Sequence, residues 1–299
     1  VGNNGNVLYW EYSPDGGINW YSLSNITTSQ TYSNLPVTTI YRAYVKSGGC
    51  PAAYTSPNAT ITVDQPSNAG VLLKDTAVCA SSNNGTLAIV NYTGNIQDWY
   101  FSTNGGSSWS SLGNTNPNYV FNNLTNTTWY YAIVKNGVCP TDTTNVIQVN
   151  VSPSTVPGTA ASDQTLCALS NSGTISVSGY TSTILNWEYS TDGGLTWYPI
   201  ANTTSLQPFS NLNTTTKYRV KVKSGVCPEM YSNVVTIQID QPSKGGKLLR
   251  DTVVCYGSNT GSLSLVQYST TILDWISSND NGTTWSNIGF TGNVYNFNN

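Results

Sequence analysis

The sequence predicts an all-β chain: antiparallel β-sandwich domains in tandem, strung as an extended rod. Three observations predict this. A hairpin that begins and ends on tryptophan recurs four times, starting at Trp10, Trp99, Trp187 and Trp275, at steps of 89, 88 and 88 residues. Between these hairpins the apolar residues alternate with polar ones, the period of a half-buried strand. No stretch carries a helical period. A repeat of about 88 residues is too long for the common solenoids and fits one small sandwich per repeat.

The hairpins read WEYSPDGGINW (10–20), WYFSTNGGSSW (99–109), WEYSTDGGLTW (187–197) and WISSNDNGTTW (275–285). Glycine takes positive φ freely, and Asp or Asn side chains bond the turn's own backbone, so each is a strand–turn–strand unit. Trp10, Trp99, Trp187 and Trp275 are expected to fill cores. Trp20, Trp109, Trp197 and Trp285 are expected to cover the hairpins. The repeat boundaries follow as 1–63, 64–150, 151–239 and 240–299, with the first and last repeats partial, as in a piece of a longer chain. There is also a period of two. DQPSNAGVLLKDTAVC (64–79) returns as DQPSKGGKLLRDTVVC (240–255), whereas the linker between them differs.

In the third repeat a first strand is expected near Gly158–Cys167 and a second near Thr174–Ser178, with Ile175 and Val177 inward. On the third, Leu185, Trp187 and Tyr189 share one face. A strand ends near Leu212. TKYRVKVKSG then points Tyr218, Val220 and Val222 inward and Arg219, Lys221 and Lys223 outward, and a last strand runs near Asn233–Ile239. About seven strands with turns between them make a two-sheet sandwich. LPVTTIY (35–41), LTNTTWY (124–130) and LNTTTKY (212–218) each set Leu six residues before Tyr. This resembles the tyrosine corner of immunoglobulin-like and fibronectin type III domains, where a Tyr hydroxyl ties back to the main chain. The likeness implies an immunoglobulin-like or fibronectin-III-like fold. The fibronectin tryptophan of the second strand is missing.

Composition excludes several functions. The 299 residues carry a net charge of −3, only 8% charged residues and no histidine. No basic patch offers itself to phosphates, which argues against nucleic acid. No apolar run reaches the ~20 residues of a spanning helix, so no membrane insertion is expected. Without histidine there is no histidine-based nucleophile activation. Glu11 and Glu188 lie on hairpin strands at positions that hold Tyr100 and Ile276 in the other repeats, and are expected at the surface rather than as a catalytic pair. SPDGGINW and STDGGLTW resemble the Asp-box of sialidases, a structural hairpin. A sialidase would also need clustered arginines, and Arg42, Arg219 and Arg250 belong to different repeats. No catalytic residue, cofactor or metal is assigned. Asp64 and Asp240, in the linkers, are hard oxygen donors of the kind calcium takes. Their neighbours are Gln, Pro and Ser, and the prolines stiffen the connection.

Six cysteines occur: Cys50, Cys79, Cys139, Cys167, Cys227 and Cys255. With no CxxC and no histidine, disulfides in an exported protein are the expectation. Three pairings are open. Same-repeat bonds would join Cys79 to Cys139 and Cys167 to Cys227. In a sandwich, however, the end of the first strand and the turn after the sixth lie at opposite poles, roughly 25 Å apart; bridged Cα atoms lie about 4.4–6.8 Å apart. End-to-end repeats would instead bring Cys79 near Cys227. Consecutive bonds (50–79, 139–167, 227–255) would need folded-back linkers.

SDQTLC, the WEYSTDGG hairpin and the YRVKVKSGVC strand together resemble the tandem repeats of giant surface adhesins of Bacteroidota that serve gliding motility. The likeness covers essentially the whole chain. It implies immunoglobulin-like domains, type IX export and a place on the outer cell surface. It implies partners in the gliding and secretion machinery, and contact with an extracellular surface or polysaccharide through regions outside this chain. O-glycosylation of Asp-Thr-apolar triplets is implied too, with Thr76, Thr252 and Thr143 as candidates. The function expected is a non-catalytic stalk segment; the alternative is a carbohydrate-binding module array of a secreted polysaccharide-degrading enzyme.

Overall fold

A computed structural model describes residues 5–73, 76–249, 251–257 and 259–298. Strands and turns account for the regular structure, with no helix among the described residues. The chain falls into two compact units: Val1–Ser154 with Ser224–Pro228, and Thr155–Lys223 with Glu229–Asn299.

In the first unit, the first repeat forms one five-stranded sheet. Asn6–Ser13 lies between Tyr21–Leu23 and Thr39–Lys46, and Thr39–Lys46 also pairs with Ala53–Tyr54 and Ala59–Ile61. The second repeat is a complete sandwich. Its larger sheet orders Ser110–Ser111, Asn95–Ser102, Thr128–Lys135, Ile147–Ser152 and Thr76–Cys79, with Asp142–Thr143 also on Thr128–Lys135. Its smaller sheet is Asn118–Asn122, Asn84–Val90 and Val71–Leu72. Leu72, Leu87, Ile89, Trp99, Phe121, Tyr130, Val134 and Val149 fill the space between them.

In the second unit, the third repeat is built the same way, from Thr159–Ala161, Ser172–Ser178 and Leu206–Ser210 facing a sheet centred on Thr183–Ser190 and Thr216–Lys223. Tyr218, Val220 and Val222 are buried and the basic residues between them are only partly covered, which is the expected alternation. The fourth repeat contributes Lys247–Leu249, Thr260–Val266 and Val294–Asn298 as one sheet and a short hairpin of Ile276–Ser277 and Ser286–Asn287.

The pairing and the two packed sheets make these all-β, immunoglobulin-like sandwich repeats, and several details differ from expectation. The first strand of the third repeat is two strands. Thr159–Ala161 pairs antiparallel in the small sheet. After Ser162 and Asp163 the chain crosses over, and Gln164–Cys167 pairs parallel with Val235–Asp240 in the large sheet. The second repeat repeats this with Thr76–Cys79 along Ile147–Ser152. One segment thus tethers both sheets, an outcome that alternation alone does not encode.

On the next strand, Ile184 rather than Leu185 joins Trp187 in the core. A bulge between Ile184 and Asn186 inserts one residue and moves the inward set by one. Trp99 and Trp187 are fully buried and Trp275 nearly so, but Trp10 is only half-buried. No second sheet covers it among the described residues. All four tryptophans keep one tether: the indole N–H donates to a carbonyl seventeen residues on, at Thr27, Asn116, Thr204 and Gly292. Tyr41, Tyr130 and Tyr218 are buried at their corners. Burial pushes the Tyr130 pKa up. The corner therefore matches the family likeness in position and burial.

Candidate functional site: linker, turn and staple

Each strand ending in a lysine, Thr39–Lys46, Thr128–Lys135 and Thr216–Lys223, runs into a tight turn that ends on cysteine. The cysteine N–H donates to the carbonyl three residues earlier, from Cys50 to Ser47, Cys139 to Asn136 and Cys227 to Ser224. The glycine inside the turn has positive φ, 51° at Gly137 and 47° at Gly225. A Cβ at Gly137 would collide with the Asp64 carboxylate, and one at Gly225 with the Ser152 hydroxyl. Only glycine lets the linker approach this closely.

The linkers at Asp64 and Ser152 grip the second and third of these turns. Asp64 Oδ2 accepts from the Val138 N–H at 2.9 Å, and the Asn136 N–H donates to Ser67 Oγ at 2.8 Å. Asn136 Nδ2 donates to the Gln65 carbonyl at 2.8 Å. Ser152 Oγ stands in the same relation to the Val226 N–H, at 3.4 Å. Asp64, weighed above as a calcium ligand, is thus committed to the main chain of a turn.

Cys79 ends its strand directly opposite Ser152 in the parallel register, and Cys227 lies against the same linker, its sulfur 3.2 Å from the Pro153 carbonyl. The two form a disulfide with Cα atoms 4.8 Å apart. Of the three pairings, the bond between neighbouring repeats is the one made. The same-repeat and consecutive pairings are overturned for Cys79 and Cys227. Cys50, Cys139, Cys167 and Cys255, also expected in disulfides, are free thiols, because no second cysteine stands opposite them as Cys227 does opposite Cys79.

An asparagine four residues after the first-strand cysteine locks that strand end. Asn171 Nδ2 donates to the carbonyls of Cys167 and Leu212, and its Oδ1 accepts from the Leu212 N–H. Asn83 makes the same three bonds to Cys79 and Leu124. Asn259 bonds the Cys255 carbonyl. The recurring CxxxN spacing was the available signal; in a chain so rich in asparagine it does not stand out.

The outer face of the large sheet was also misjudged. Glu11 and Glu188 are buried, not on the surface. Each pairs with the arginine opposite in register: Arg42 Nη2 is 2.7 Å from Glu11, and Arg219 Nη2 is 2.7 Å from Glu188. The guanidinium of Arg219 is sandwiched between the rings of Trp197 and Tyr231, at 4.1 and 3.9 Å. Arg42 is held likewise by Trp20 and Tyr54, at 3.7 and 3.8 Å. The second repeat replaces this column with rings alone, Tyr100 stacked on Tyr131 and Trp109 edge-on to it. The period of two thus reaches the side-chain packing. Arg42 and Arg219 are each consumed by a structural pair, and Arg250 lies outside the described residues.

The Asp-box hairpins are self-contained. Asp192 Oδ1 accepts from the N–H groups of Leu195 and Thr196 and from Ser190 Oγ. These donors hold its carboxyl well below the usual range. The Asn19 main-chain N–H and Ser13 hydroxyl hold Asp15 at about 2, and the Thr284 side chain and N–H hold Asp280 at about 2. In the second repeat the neutral Asn104 takes the same role. Trp197 and Trp20 close their hairpins by donating to Gly194 and Gly17. Of the glycosylation candidates, Thr143 and Thr252 are exposed and Thr76 is half-buried in its strand; Asp75 of that triplet lies outside the described residues.

A family described as a domain of unknown function (DUF8696) matches residues 1–65, 68–153, 156–241 and 244–299. The chain belongs to this family. Among curated proteins none matches it. Among solved structures, these DUF8696 repeats are similar to domains from titin, at 12% identity and a TM-score of 0.38 over 68% of this chain and 75% of that one. The FN1–FN3 domains of chicken CNTN1 align at 16% identity and a TM-score of 0.28, covering 79% and 90%. Extracellular domains 3–5 of Drosophila OTK align at 8% and 0.36, covering 79% and 87%. The fold assignment rests on the strand pairing above rather than on these.

Proposed function

We propose that this chain is a load-carrying stalk segment of a secreted, non-catalytic cell-surface adhesin, of the kind that serves gliding motility or surface attachment. The observation that carries the reading is the Cys79–Cys227 disulfide, which joins one repeat covalently to the next. Such a bond persists in an oxidising compartment outside the cytosol. In the chain-entropy picture, closing a loop of 148 residues stabilises the folded state by about 5 kcal/mol.

On this reading the repeats divide at 63/64, 150/151 and 239/240. The partners, an extracellular surface or polysaccharide at one end and the gliding or secretion machinery at the outer membrane at the other, act through other parts of the protein. Glycans at Thr76, Thr143 and Thr252 would belong to the stalk's coat.

The test pairs two measurements on the recombinant chain. Small-angle scattering should give an extended, rigid profile that loosens on reduction, and a glycan array should show no binding. Glycan binding in the micromolar range, with scattering unchanged by reductant, would overturn the stalk in favour of a carbohydrate-binding module array.

A further inference from the structure

Cys139 is a free thiol in the setting of a bonded one. Its sulfur lies 3.5 Å from the Asp64 carbonyl and 3.3 Å from the Gln65 carbonyl. The bonded Cys227 has the same neighbours one repeat on, at 3.6 Å from Ser152 and 3.2 Å from Pro153. Turn, glycine and linker grip are all assembled around Cys139, as described above.

A second, independent feature lies beside it. Ile147–Ser152 and Val235–Asp240 each carry a parallel partner strand that ends in cysteine. Their counterpart Ala59–Ile61 pairs only with Thr39–Lys46 among the described residues, so its other edge is open. Next to that edge a cavity of about 230 Å³ is lined by Trp10, Tyr41, Ala59 and Ile61. In the complete repeats, Val78 and Leu166, each one residue before the cysteine, pack against the corresponding core.

We propose that Cys139 and the open edge of Ala59–Ile61 form a receiving site for an extended strand ending in Leu/Val-Cys, the first strand of a repeat of this same type. The strand runs parallel to residues 61–64 with its cysteine opposite Asp64. Its penultimate apolar side chain enters the cavity beside Trp10, and its sulfur bonds Cys139. The Cys79–Cys227 staple is then one of a series, and the free cysteines are its unfilled positions. This inference does not depend on the stalk reading, which scattering and glycan binding test separately.

The probe is a peptide of residues 163–169, DQTLCAL, supplied as its glutathione mixed disulfide to the whole chain. The Cys139 thiolate attacks the peptide sulfur, glutathione leaves as its thiolate, and one disulfide replaces another with no net oxidation. Templating raises the local peptide concentration, so labelling mapped by mass spectrometry should favour Cys139 over Cys50, Cys167 and Cys255 by on the order of ten-fold or more. Moving the peptide cysteine one place, as DQTCLAL, turns the thiol and leucine to the opposite faces and should abolish the preference. Even labelling of all four cysteines, preference for another one, no labelling, or equal preference with the shifted peptide would each overturn the proposal.

Discussion

At the scale of single residues, the hairpin acids set the pH response. Asp15, Asp192 and Asp280 have pKa values depressed by turn N–H and hydroxyl donors. A depressed folded value means the stabilisation is fully present above the unfolded pKa near 3.9. It is lost as pH falls through the folded values, which for Asp15 and Asp280 lie near 2. Between pH 4 and 2 the amide resonances of Asn19 and Thr284, whose N–H groups donate to Asp15 and Asp280, should shift in an NMR titration, whereas that of Thr196 should shift only below this window, because Asp192 is held lower still. Those of Gly105 and Gly106 should not shift, because Asn104 does not titrate. For the same reason Asp192→Asn should be tolerated, whereas Asp192→Ala should lower the melting temperature of its repeat.

Glu188 makes a second residue-scale case. Its burial depends on Arg219, thirty-one residues away in sequence, and on the two rings holding that guanidinium. Removing one partner strands the other inside the sheet's cover. Glu188→Ala should destabilise the third repeat by about 2–3 kcal/mol in urea unfolding. Arg219→Lys should also lose stability, since an ammonium cannot stack between two rings and bond side-on to a carboxylate.

At the scale of elements, the large sheet is organised by the strand that carries Trp187 and the strand opposite it. Trp187→Ala leaves a cavity in a fully closed core and should cost about 3–5 kcal/mol. Trp10→Ala should cost less, because that ring is already half open to solvent. Thermal denaturation of the two variants, compared on one chain, gives the ordering. The hairpins, the alternating strands and Trp187 as core were legible in the sequence because turn chemistry and two-residue periodicity are local. The bulge at Leu185 and the crossover at Ser162 and Asp163 were not. Both answer a geometric demand, sheet curvature or a change of sheet, that no local pattern states.

At the scale of the whole molecule, the disulfide changes how the chain carries force. A pull on the termini passes from Cys79 directly to Cys227, so the 148 residues of sequence separation lie off the load path. Extending oxidised and reduced chains between handles at the two termini should therefore give contour lengths that differ by on the order of 500 Å, at ~3.3–3.6 Å per residue. Equal lengths would mean that the bond does not form in solution.

What the sequence determined alone was the kind of module, its period, its hairpins and the inward side of regular strands such as Thr216–Lys223. These depend on residues within a few positions of one another. Only the tertiary structure decided which two cysteines meet, which carboxylates are buried, and that an asparagine four places beyond Cys79 and Cys167 holds the strand end. Each of those joins groups tens to more than a hundred residues apart in sequence, and the chain reveals such meetings only once the strands have paired.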